Sequence, residues 1–283
     1  MKKNRCYERV TKEAETNSLK LYNFLGNNEK ILVPNVSNKT TIFHIENTLN
    51  NQKCCPTFAP FVQTLKNYIL VHDLGYECLN IGAANISGLE IIKDKFETNE
   101  EYPLKWNSGY NYAQNKIFDF GDVEAYLSHE FLHAFTRLVN DKISLVGFFR
   151  ETENYNFFFG LNEGYTELLN KRIFNNYTRT HYDLFLDIIR IIEFMFDDYR
   201  DMERSYFTCN PFYIYQNFCK YGTKSEFVYL CEQLDIMAKT RIEEKQVTNL
   251  KNMLYDIIKE NNIMNYEFEM ALDDKHFTKR KVS

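Results

Sequence analysis

From Asp122 onward, apolar residues return every three or four positions with little interruption. This spacing predicts helices over 122–139, 162–174, 182–200, 210–220, 224–238 and 246–260. In the first of these, Val123, Leu127, Phe131, Ala134 and Leu138 make one apolar stripe behind an N-cap expected at Asp122. Leu184–Phe196 is the most apolar stretch, but it is too short to cross a bilayer. Asp187, Arg190 and Glu193 also break it at helical spacing, so it reads as a core helix.

Ahead of Asp122 the pattern is mixed. A helical opening spans Glu13–Leu25, strand-like runs occupy Lys30–Val33 and Thr40–Ile45 between Asn-rich turns, and Phe61–Val71 reads as a helix. Asn107–Phe120 is turn-like at first and then alternates as a strand. The fold expected is α+β, in two parts divided near Gly121. Residues 1–121 form a mixed lobe with a small β-sheet, and 122–283 a mainly helical lobe, with a cleft between them.

Composition narrows the class. The 283 residues include 24 Phe and 20 Tyr but only 10 Gly and 5 Pro, which suits long helices better than many turn-linked strands. A formal charge of −5 provides no basic field for nucleic acid, and the terminal Lys279-Arg280-Lys281 run reads as a solvated tail. The 7 Cys include no Cys-x-x-Cys pair, so reduced thiols are expected rather than a disulfide framework or a cysteine zinc site. No apolar segment follows the charged start Met1–Arg5, and the reading is a cytoplasmic protein without a membrane partner.

The chemistry concentrates at His129-Glu130-Phe131-Leu132-His133. On a helix, two histidines four apart leave the same face and can share one Zn2+, while Glu130 lies about a hundred degrees round, within reach of a metal-bound water. A zinc ion lowers the pKa of its water toward about 7, and a neighbouring carboxylate can take the proton as that water attacks a carbonyl. A third protein ligand is needed. Leu161–Leu169 opens the next predicted helix with Glu163 and Glu167 four apart on one face, so that one can ligate while the other accepts the free N–H of a ligand histidine. Both acids sit among Phe157, Phe158, Phe159, Leu161 and Leu168, unlike a solvated acidic face, and Gly164 leaves room for close approach.

HEFLH at 129–133 followed by NEGYTE at 162–167 resembles the gluzincin group of zincin metallopeptidases. That resemblance implies His129, His133 and Glu163 as ligands to one Zn2+ per chain, Glu130 as catalytic base, Glu167 as outer support, and a zincin-like fold. The metzincin pattern is absent, because Thr136 and Val139 stand where it has Gly and His. The match covers 122–169, and the residues 134–162 between the two motifs make a longer spacing than in thermolysin-type enzymes. The long apolar helix followed by Arg204-Ser205-Tyr206-Phe207 is similar to small gluzincin-like proteins of low-GC bacteria.

Similarity to zincins also implies that Asn111–Phe118 is the sheet edge that receives a peptide substrate. Tyr206 is the candidate donor to the developing oxyanion. His44, His72, His181 and His276 have no motif around them and read as structural or solvated, and the adjacent Cys54 and Cys55 do not define a nucleophilic site. The function expected is peptide-bond hydrolysis of a peptide or protein. The alternatives are a zincin-fold binding or regulatory protein without turnover, disfavoured by the intact Glu130, and a zinc hydrolase of another amide or an ester.

Overall fold

The computed structural model describes residues 19–25, 58–92, 108–119, 124–139, 143–152, 155–176, 178–240 and 242–261. The strand-like runs at Lys30–Val33 and Thr40–Ile45, the N-cap Asp122, His44, His276, the Cys54-Cys55 pair and the basic run at 279–281 lie outside those residues. Within them the fold is α+β and mostly helical, with two small sheets.

Residues 19–25 are helical, at the end of the helical opening expected there. Helix α1 (Ala59–Val71) begins with a proline in its first turn, where a missing N–H costs nothing, and buries Phe61, Val62, Leu65 and Ile69. Helix α2 (Tyr76–Ile86) leads into β1 (Glu90–Ile92). With β2 (Ser108–Asn111) and β3 (Lys116–Asp119) it forms a sheet ordered β1-β3-β2, in which β3 runs parallel to β1 and antiparallel to β2.

The expected edge at Asn111–Phe118 is therefore corrected. A turn splits that segment, β3 is central, and β2 is the edge among the described residues. Side chains decide this: Asn111 Oδ1 accepts the Gln114 N–H at 3.0 Å, and Asn115 takes the left-handed conformation with φ 54°.

Helix α3 (Glu124–Phe135) stops short of the expected 139, where the chain enters β4 (Arg137–Val139). The Thr136 N–H is shared by the Leu132 and His133 carbonyls at 3.2 Å each. An antiparallel meander follows through β5 (Ile143–Val146), β6 (Phe149–Thr152) and β7 (Tyr155–Phe157). It puts a second sheet into the half expected to be helical.

The β5–β6 turn is Gly147-Phe148. Gly147 has φ 55°, and a Cβ there would collide with Asn162 Oδ1 and the Tyr206 ring, so both conformation and space require glycine. The Phe148 N–H donates to Asn162 Oδ1 at 2.9 Å, fastening the hairpin to the next helix.

That helix, α4 (Phe159–Phe174), is buried without a break from Gly160 to Asn170. At its start the Gly160 N–H donates to Asp235 Oδ1 at 2.7 Å, closing one of the donors a first turn leaves open. A Cβ on Gly164 would lie 2.9 Å from Ile189 Cγ1 and 3.0 Å from Phe185 Cβ, so the room it leaves is filled by side chains. The span expected as one helix at 182–200 is instead a 3-10 turn (His181–Phe185), α5 (Leu186–Phe194) and the start of α6 (Tyr199–Phe207). Asp198 caps α6 by accepting the Arg200 N–H, which sets the break.

Helices α7 (Pro211–Tyr221), α8 (Lys224–Lys239) and α9 (Glu244–Glu260) follow close to the expected spans, and Thr223 with Glu226 makes a reciprocal capping box on α8. One apolar core joins Leu65, Leu79 and Ile117 to Phe131, Leu161, Ile188 and Leu254, on both sides of Gly121. Among the described residues no helix is long and apolar enough to cross a membrane.

Candidate metal centre

Helices α3 and α4 meet through a ladder of polar pairs. Ser128 Oγ donates to Asn170 Oδ1 at 2.6 Å, and His129 Nδ1 lies 3.1 Å from Glu167 Oε2. His129 Nε2 lies 3.3 Å from Glu163 Oε2, His133 Nε2 lies 3.4 Å from Glu163 Oε1, and His133 Nδ1 lies 3.3 Å from the Asn162 amide nitrogen. Rising numbers on α3 meet falling numbers on α4, so the helices are antiparallel. Spacings of three and four keep each set of rungs on one face.

Three of these side chains fit a metal ion. One donor atom from each of His129, His133 and Glu163 can be chosen with all three within 4.8 Å of one another. The two Nε2 atoms are 3.1 Å apart, and the Glu163 carboxylate straddles them. Tetrahedral bonds of about 2.0–2.1 Å would put neighbouring ligand atoms about 3.3 Å apart, close to these separations. Two imidazoles and a carboxylate are also the donor types that zinc takes in hydrolytic sites. Glu167, expected behind one of the ligand histidines, faces His129. A carboxylate facing Nδ1 fixes the proton on that nitrogen and leaves the Nε2 lone pair for an ion.

Exposure separates the ligands from their support. His129 and His133 are 6% exposed and Glu163 8%, whereas Glu167 is 0% exposed. The ligand group keeps a narrow opening while the outer carboxylate is sealed.

The electrostatics favour a cation. Burial opposes a charged His129, yet Glu163 and Glu167 outweigh it and push the ring up to about 10. Burial likewise opposes ionised Glu163 and Glu167, but the histidines, joined at Glu167 by Lys171, hold both carboxyls below the ordinary range. Surroundings that retain a proton on His129 would attract a divalent ion more strongly still. Glu130 sits on the same helix, and burial raises its carboxyl despite the two histidines. Ser108 Oγ, at the start of edge strand β2, donates to Glu130 Oε1 at 3.3 Å.

Tyr206 lies apart from this group in its contacts. It is fully buried, its hydroxyl is 2.7 Å from Thr166 Oγ1, and its ring packs against Phe148, Tyr165 and Phe207. His72 stacks on Tyr68 at 3.9 Å, and His181 is exposed at the start of the 3-10 turn. Among the described residues Cys78, Cys209, Cys219 and Cys231 are without a disulfide.

Sequence reasoning missed Tyr182. Its ring stacks on His129 with centroids 6.1 Å apart and planes 13° from parallel, and it is only partly buried. Burial and then the Glu163, Glu130 and Glu167 carboxylates push its phenol well above the ordinary tyrosine value. No local pattern marks it, because it reaches the site across a separate turn. The rungs Ser128–Asn170 and His133–Asn162 were legible in part, as polar residues spaced three or four apart inside apolar helices.

Comparison of the chain with protein-family models, with curated proteins and with solved structures returns no match.

Proposed function

We propose that the chain is a zinc-dependent metallopeptidase of the gluzincin type, with a zincin-like fold and one Zn2+ held by His129, His133 and Glu163. The observation that carries this reading is the convergence of three buried donors from two antiparallel helices, backed by Glu167 and flanked by Glu130. When bound, zinc supplies Lewis acidity and water made acidic enough to lose a proton near neutral pH.

The rest is work for the chain's own side chains. Glu130 takes a proton from the attacking water and returns it to the leaving nitrogen, and a carboxyl raised by burial suits both transfers. Ser108 aims that carboxylate through its 3.3 Å hydrogen bond. Among the described residues β2 is an edge of its sheet, and its Ser108 meets Glu130 on α3, so a peptide added alongside β2 would run past α3, and this favours a peptide over a small ester. Two tyrosines are candidates for stabilising the oxyanion. Tyr206 would have to release Thr166, whereas Tyr182 already borders His129 with part of its surface open.

The test is cleavage of a peptide library by the zinc-loaded chain, with Glu130→Gln as the control. The proposal expects hydrolysis by the wild type and a loss of about 10²–10⁴-fold in the variant, which should still bind zinc. Wild-type protein that binds zinc but cleaves no peptide, or a Glu130→Gln variant that cleaves equally fast, would overturn it.

A further inference from the structure

Glu167 has two neighbours of opposite use. Its Oε2 lies 3.1 Å from His129 Nδ1, and its Oε1 lies 3.0 Å from Lys171 Nζ, one turn further along α4. The same ammonium donates to the Thr178 carbonyl at 2.9 Å and lies 3.0 Å from Asp183 Oδ1. A surface lysine wanders among partners, but this one is held from three directions and its side chain is only 13% exposed.

We propose that Lys171 is a positioning residue of the metal centre, acting through Glu167 to fix the His129 ring. The inference rests on the zinc reading above. A glutamate has enough rotatable bonds to leave a histidine when only one of its oxygens is held, and here the second is held by charge, in an ion pair with Lys171 without a hydrogen bond. Asp183 is the neighbour of Tyr182, whose ring lies nearly parallel beside that of His129. The ammonium thus fastens the support at the Nδ1 edge of His129 and also the segment that carries Tyr182 beside it.

Replacing Lys171 by Met keeps most of the apolar stem but leaves the sealed Glu167 Oε1 without a counter-charge. The carboxylate is then free to turn away from Nδ1, and the ring loses its orientation. Outer partners of metal-bound histidines are typically worth about 10–100-fold in affinity, and a residue acting one step further out should fall at the low end.

The experiment measures Zn2+ affinity by chelator competition on the full chain, together with the visible absorption of the Co2+-loaded protein. Lys171→Met is expected to bind Zn2+ about tenfold more weakly and to alter the Co2+ spectrum, while Lys171→Arg restores most of both. In a Glu167→Gln background, Lys171→Met should add little, because its route has already been cut. If Lys171→Met does not fold, Lys171→Gln is expected to give the same loss. Wild-type Zn2+ affinity and an unchanged Co2+ spectrum in the uncharged variant, or losses that add in full to Glu167→Gln, would overturn the inference while leaving the metal centre standing. Failure of the wild-type chain to take up Zn2+ would overturn both.

Discussion

Helix α4 carries two buried polar clusters, and they place their cations differently. Near its C-terminal end, Arg172 reaches Glu193 at 2.7 and 2.8 Å and Glu203 at 2.8 Å, while Tyr68 donates to Glu203 at 2.5 Å. The guanidinium answers both acids, and their field keeps it charged against burial, well above the ordinary arginine value. Earlier on the same helix, Glu163 and Glu167 share two imidazoles with Glu130 nearby, and Lys171 is the ammonium at the outer edge. The first cluster has its one cation at the centre, between the two acids, whereas the second has its ammonium at the edge and no fixed cation among its converging donors. Buried charge alone therefore does not mark a site; converging donors with no fixed cation among them do.

That contrast can be broken first at the arginine. Arg172→Met should cost about 3–5 kcal/mol in denaturant unfolding, equally with and without zinc, because it strands two buried carboxylates. A cost below about 1 kcal/mol would mean that the guanidinium does not hold the two acids as described.

The second cluster should respond to the ion instead. Stripping zinc from the wild type should lower stability by about 2.7 kcal/mol relative to protein at a hundred times the dissociation constant. A chain whose unfolding is indifferent to zinc would remove the contrast. Within that cluster, Glu167→Gln should weaken zinc about 10–100-fold by chelator competition, with folding of the metal-free protein much less affected than by Arg172→Met. Unchanged affinity would show that Glu167 does not support His129.

A pH dependence belongs to Asp235, a residue of α8 whose carboxyl meets the start of α4. Burial pushes its carboxyl up to about 7 despite the Gly160 N–H. Because the folded chain then holds this proton where the unfolded chain, titrating near 3.9, does not, stability should fall as pH rises from about 4 to about 7. Asp235→Asn keeps an acceptor for Gly160 and should flatten that slope in thermal unfolding at several pH values. A slope unchanged in the variant would assign it to other groups.

Legibility followed the range of the interactions. His129, Glu130 and His133 could be read from one helix because their geometry depends only on its pitch, and Glu163 and Glu167 from a second because the acids lie within an apolar run. The sheet of β4 to β7 escaped because strands of three or four residues carry too little periodicity to compete with the helical pattern around them. Helix α3 looked longer than it is because Leu138 and Val139 continue its apolar spacing while pairing in β4. Tyr182, the role of Lys171 and the Arg172 cluster depend on which turns of distant helices meet, and sequence spacing does not specify that.

The most direct measurement is the metal content of the purified chain by elemental mass spectrometry, beside Glu163→Ala prepared identically. One zinc per chain in the wild type and a sharp loss in the variant are expected, with both proteins folded. No zinc after preparation without chelators, and none taken up on addition, would contradict the metal centre and leave the α3–α4 ladder as a structural polar contact.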